Sequence, residues 1–335
     1  MRLPARSFFV GLLLIPVHGA AQDAGLLLGV EIRQDSEDFW QPQPQALQTY
    51  WIIGNARGAE LKAIVPGLLV PQADGFLRAA IERRCGRDPD HGYTFCRDAY
   101  WTAGALEQPP APLSTDALGE EGPCTYETLR VQFLSAEAVA FWRNSGNSEA
   151  CEPRGWHWTT QTWLQPVSGG AHIRLSEVSG KGAIRAYASA ASQAESAAQQ
   201  DLGVSCEADP EADDRWTVVR RAGAWRPQLA QQNGLGYCDL SADIATPLPH
   251  SFTGPDRLAL SWAKLAKSIP GLIDAVSSPD GSWSVAITPS ELMFVSGKAQ
   301  NLSRVTTVKS LRLVMAQWAL GKHVTRWSTA VSALR

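Results

Sequence analysis

The chain has 335 residues, with 30 basic against 33 acidic side chains and a net charge of −3. No basic stripe or polybasic tail interrupts this balance, which argues against nucleic acid or an anionic membrane surface as partner. No later run reaches the roughly 20 apolar residues of a spanning helix, so no membrane insertion is expected.

Taken in order, the first element is an export signal. Arg2 and Arg6 precede the apolar run Phe8 to Val17, which closes on the small residues Gly19-Ala20-Ala21. That is the layout of a cleavable signal peptide over residues 1–21, with a mature chain expected to start near Gln22. A periplasmic or extracellular location follows. The remaining 22–335 contains no long linker and reads as one domain.

Strands dominate it, because apolar and aromatic residues recur at period 2. Thr49 to Ile53 and Glu60 to Val65 flank a turn at Gly54 to Gly58. Leu68 to Val70 and Phe76 to Ile81 flank Asp74-Gly75. Leu129 to Leu134 pairs in pattern with Ala138 to Trp142, and Trp156 to Trp163 and Trp216 to Arg220 also alternate. Ala183 to Leu202, rich in Ala, Gln, Ser and Glu, predicts a helix ended by Gly203. A shorter helix is predicted over Asp256 to Ser268, stopped before Pro270.

Six cysteines, Cys85, Cys96, Cys124, Cys151, Cys206 and Cys238, follow the signal peptide. An even count in an exported chain reads as disulfides. Near-neighbour pairing is preferred: Cys85 with Cys96, Cys124 with Cys151, Cys206 with Cys238. No C-x-x-C occurs, so neither a metal nor a cofactor is expected.

A Pro…Asp-Gly turn between strands occurs twice, at Pro71 to Gly75 and at Pro279 to Gly281, with a looser copy at Arg220 to Trp225. The 206 residues from Asp74 to Asp280 would hold about five propeller-blade repeats of 40–45 residues. Asp274 to Gly281, followed by Trp283 to Ile287 and Leu292 to Val295, resembles one blade of a TolB-type β-propeller. Its inner strand ends in the Ser278-Pro279-Asp280-Gly281 that such blades commonly show. The resemblance, over about 270–330, implies a final hairpin of Leu313 to Trp318 with His323 to Trp327. The fold expected is a mostly β, propeller-like or otherwise repeated antiparallel domain with one or two short helices. An irregular β-sandwich is the alternative.

No catalytic motif appears: no H-E-x-x-H, no G-x-S-x-G and no histidine pair at i, i+4. Asp35, Glu37 and Asp38, and the run Asp209 to Asp214, read as solvated acidic surface. Asp280 reads as a turn residue. Trp156, Trp158 and Trp163 offer a candidate aromatic platform for a sugar, although alternation puts Trp156 and Trp158 on the face opposite His157. The expected function is an exported scaffold that binds an envelope protein or glycan. A secreted hydrolase whose site is assembled from β loops is the rival, and a purely structural envelope component is a third reading.

Overall fold

The structure is a computed structural model that describes residues 23–32, 45–87, 94–105, 125–147, 157–203, 205–232, 239–297 and 301–334. The expected signal segment 1–21, Asp35 to Trp40, Trp156, and Cys124, Cys151 and Cys238 lie outside these. The chain opens with β1 (Ala24–Ile32), β2 (Ala46–Asn55) and β3 (Gly58–Pro66). It continues through β4 (Leu68–Gln72), β5 (Gly75–Arg87), β6 (Thr94–Gly104), β7 (Thr125–Leu134), β8 (Ala138–Asn147) and β9 (His157–Pro166). Helices α1 (Leu175–Ser179) and α2 (Gly182–Leu202) precede β10 (Trp216–Arg221), β11 (Ala224–Gln232) and β12 (Asp239–Asp243). Then come α3 (His250–Thr253), α4 (Trp262–Ser268), β13 (Asp274–Ser277), β14 (Trp283–Ile287), β15 (Glu291–Ser296), β16 (Leu302–Thr307), β17 (Leu311–Leu320) and α5 (Lys322–Ser332).

These strands form four sheets in a four-bladed, propeller-like arrangement. Blade 1 has the order β17-β1-β2-β3, so the last strand closes onto the first. Blade 2 is a six-stranded sheet in chain order, β4 to β9; blade 3 is β10-β11-β12; blade 4 is β13 to β16. Pairing is antiparallel except where β6 meets β7 in parallel through Cys96–Tyr126 and Arg97–Glu127. Blade 2 takes up residues 68–166 in one sheet, so the stretch between the two Asp-Gly turns does not divide into repeats of equal length.

β1 explains the closure. Its sequence Ala-Gly-Leu-Leu-Leu-Gly-Val-Glu-Ile is a near-continuous apolar run, as expected of a strand covered on both faces. Leu26, Leu28 and Val30 enter a core shared with Trp216, Trp283, Phe294 and the Ala-rich face of α2. Leu27 enters a second core with Trp51, Leu68, Phe141 and Met315. Only a strand paired on both edges can sit there, since unpaired buried backbone is costly. β2 takes one edge and β17 the other.

The expected hairpin of Leu313 to Trp318 with His323 to Trp327 is not formed. Leu311–Leu320 is a strand as read, but it pairs with β1, and 322–332 is helix α5. Val324 and Val331 are buried and Trp327 half-buried, at helical spacing, and this face packs onto Trp51 and Phe76. The helix expected from Asp256 is also shorter. It starts after Ser261, whose Oγ accepts the Lys264 N–H, because Asp256 is held outside it by Arg220. Five helices are present among the described residues, against the one or two expected.

Other readings hold. α2 ends at Gly203, which caps it in the left-handed conformation. Cys85 and Cys96 are bridged, as the near-neighbour preference required, and Cys206 is also disulfide-bonded. A disulfide fits an oxidising compartment. No described helix is long and apolar enough to cross a membrane.

The blade 4 turn shows why Ser278-Pro279-Asp280-Gly281 sits between β13 and β14. Asp280 Oδ1 accepts hydrogen bonds from Ser278 Oγ at 2.6 Å, the Ser282 N–H at 3.1 Å and Ser282 Oγ at 2.9 Å. Gly281 has φ +69°, where a β-branched residue is strained. Gly281→Val should therefore cost more than about 1 kcal/mol in urea denaturation. Asp280→Ala should cost less, toward the low end of about 0.5–1.5 kcal/mol, because the carboxylate is exposed. Partial burial raises the Asp280 pKa, but the Ser278 and Ser282 hydrogen bonds outweigh it and lower the net value. A lowered carboxyl pKa contributes stability above the unfolded value of about 3.9 and loses it as pH falls through the folded one. The gap between wild type and Asp280→Ala should stay constant from about pH 5 to 8 and close below about pH 4.

Candidate functional site

A polar cleft opens between blades 2 and 3. Blade 2 contributes Trp142 from β8 and Thr160 and Thr162 from β9. Trp142 and Thr162 are direct register partners, as are Asn144 and Thr160, so these side chains share one sheet face. The Arg130 guanidinium lies 5.6 Å from the centroid of the half-buried Trp142 ring, fixing the indole from the β7 side.

Gln132 reaches the cleft through a backbone irregularity. The β7–β8 register slips between Val131 and Phe133, so Gln132 is the extra residue of a β-bulge. A bulge of this kind re-aims a side chain. Gln132 Oε1 accepts the Thr217 hydroxyl at 2.7 Å, tying blade 2 to β10 of blade 3.

The blade 3 wall is Thr217, Gln228, Ala230, Gln231, Asp239, Leu240 and Ser241. Gln231 is fully engaged: its Nε2 donates to Tyr187 Oη at 2.6 Å and Asp209 O at 2.7 Å, and its Oε1 accepts the Asp209 N–H at 2.7 Å. Burial pushes the Tyr187 phenol up to about 12, so it stays neutral and donates to Arg215 O. The wall is thus braced from behind by α2 and the loop 205–215. The acidic run read as solvated is partly interior: Asp213 is buried, and its carboxylate accepts the Ser176 N–H at the start of α1.

The cleft encloses about 180 Å³, below the roughly 300–1,000 Å³ of drug-sized pockets. One ring or one end of a longer chain fits that size better than a whole large ligand. Apart from Gln231, which is already engaged, its threonine and serine hydroxyls and glutamine amides carry both donor and acceptor groups. Asp239 is the single carboxylate among the described lining residues, and it is exposed. A broader hollow beside the β2–β3 turn, about 570 Å³, has carboxylates that already have partners: Asp23 accepts from the Asn55 amide and Glu60 pairs with Lys62. The smaller, braced cleft is the better candidate.

The sequence-derived tryptophans divide. Trp163 packs between Phe141, the Arg143 guanidinium and His172, and its Nε1 donates to Gln165, so it serves the blade 2 interior. Position 158 falls by register on the strand face of Thr160 and Thr162; its side chain and all of Trp156 are outside the described set. Trp142 was visible in sequence only as the end of an apolar run. Its pairing with Thr162, which puts it in the cleft, depends on a 20-residue sequence separation that no local pattern reports. His250 Nδ1 lies 3.2 Å from Gly254 O, and His323 is exposed on α5. Among the described residues no cluster of His, Cys, Asp or Glu could hold a metal ion. No family model matches this chain, and no curated protein matches it.

Proposed function

We propose that the protein is an exported β-propeller-like scaffold that binds an uncharged glycan of the cell envelope in the cleft between blades 2 and 3. The observation that carries this reading is the cleft's composition. One aromatic ring, held by Arg130, stands beside hydroxyl and amide groups that both donate and accept. A sugar presents an apolar ring face flanked by hydroxyls with the same dual capacity. The similarity of the blade 4 turn to TolB-type repeats supports a scaffold that works by binding. The hydrolase alternative requires a second carboxylate facing Asp239 at roughly 5–10 Å.

Glycan-array binding by the mature protein, followed by titration with the best neutral oligosaccharide, tests this. Trp142→Ala should weaken binding roughly tenfold or more, since truncating a central aromatic anchor commonly costs that much. Trp163→Ala should lower the melting temperature and leave affinity within about threefold, because it packs away from the cleft. Equal affinity in wild type and Trp142→Ala would remove the cleft from the proposal. Capture of envelope proteins with no glycan bound would transfer it to protein recognition.

A further inference from the structure

The blade 3 wall of the cleft sets its side chains in a fixed order along one sheet face. Thr217 of β10 and Gln228 of β11 are direct register partners. Ala230 follows Gln228 by two residues on the same face, and its own partner is Ser241 of β12. Gln132 enters from blade 2 and meets this row at Thr217, whose hydroxyl it accepts at 2.7 Å.

That bond decides what Gln132 offers a ligand. Its Oε1 is occupied, which leaves Nε2, a donor without acceptor capacity, as the group to be filled. Among the described residues Nε2 has no partner, and neither does the half-buried Gln228 side-chain amide. Ala230 and Leu240 are the apolar members of the blade 3 wall, while the Trp142 ring belongs to the opposite one. The row is therefore one fixed donor, one adaptable amide and one small apolar spot. A bare sugar hydroxyl matches only one member of it. An acetamido group, with a carbonyl acceptor, an N–H donor and a methyl, matches all three.

We infer that the glycan seated in the cleft carries an N-acetylated amino sugar, an inference that rests on the glycan reading of this site. The sugar's apolar face lies on Trp142. Its acetyl carbonyl accepts from Gln132 Nε2, its amide N–H donates to Gln228 Oε1, and its methyl rests on Ala230. The ligand stays uncharged, because acetylation removes the basic amine. A plain hydroxyl at the same ring position leaves the Gln132 donor and the methyl spot unfilled, and an unfilled donor weakens binding.

Cellotriose and its N-acetylated counterpart, triacetylchitotriose, titrated separately into the protein, are the test. The expected result is that the N-acetylated ligand binds about tenfold or more tightly, the worth of one or two added hydrogen bonds. Gln228→Leu should reduce that preference to within about threefold by weakening the N-acetylated ligand. It should not lower the melting temperature, because the Gln228 amide has no partner to lose. Ala230→Leu fills the methyl spot and should reduce the preference in the same way. A smaller preference in wild type, or none, overturns the inference and leaves the glycan reading in place. Binding of neither trisaccharide also overturns it, and the glycan reading then falls only if the array returns no neutral glycan. Full preference retained in a folded Gln228→Leu protein overturns the assignment of the acetamido seat. Should that variant not fold, the two wild-type affinities alone decide.

Discussion

Arg220→Ala should destabilise the protein by about 3–5 kcal/mol, the cost of removing one partner from a buried charge cluster. Arg220 leaves β10 in blade 3 and spends its donors across the boundary with blade 4. Nε reaches both Asp274 oxygens at 3.0 and 2.9 Å, and Nη1 reaches Asp256 at 2.7 Å. Nη2 reaches the carbonyls of Gly223 at 3.0 Å and Ala275 at 2.6 Å, while the guanidinium lies over Trp225 at 4.8 Å. Without it, Asp274 remains buried with no counter-charge from Arg220. Arg220→Lys should recover only part of the loss, because an ammonium has no fork to span both carboxylates.

The pH dependence gives this prediction a sign. Burial raises the folded Asp274 pKa, with Arg220 opposing the rise. A raised carboxyl pKa contributes stability that is complete below the unfolded value of about 3.9 and is lost as pH rises through the folded one. Removing Arg220 raises that folded value further. The variant's deficit should be largest at neutral and alkaline pH and narrow toward pH 5, measured by urea denaturation. A deficit independent of pH would mean that lost packing over Trp225, not the charge, is responsible.

Trp51→Ala should cost about 3–5 kcal/mol, the range for truncating a buried aromatic, and should release α5. The Trp51 ring lies against Gly25 so closely that a Cβ there would sit 2.0 Å from Cη2. Its Nε1 donates to Ser328 Oγ at 3.2 Å, and Trp327 lies 6.0 Å away. One indole thus joins β1, β2 and the final helix. Limited proteolysis should trim the variant after β17 while wild type stays intact. Survival of α5 in Trp51→Ala would mean that Val324 and Val331 suffice to hold it.

These two centres mark where sequence reading stops. Turns and hairpins were legible because their causes are local: Asp280 bonds its own neighbours, and Gly281 supplies the φ its turn requires. Helix α2 was legible from composition and Gly203. The final hairpin was misread because five residues, His323 to Trp327, alternate acceptably at period 2. The helical spacing of Val324, Trp327 and Val331 needs a longer window to see. Arg220 with Asp256 and Asp274, 36 and 54 residues apart, leaves no pattern in the chain. The cleft is equally non-local, since Gln132 enters it by a bulge and meets Thr217 85 residues later.

The cleft exists only while the four sheets are held in a ring, and that ring depends on β17 lying beside β1. Hydrogen–deuterium exchange of the protein in native buffer measures this directly, by the opening free energies of the two strands. The expected result is that amides of Ala24–Ile32 and Leu311–Leu320 exchange together, at the slow limit set by global unfolding. Exchange of Leu311–Leu320 in an earlier, separate event, with β1 still protected, would contradict the closure.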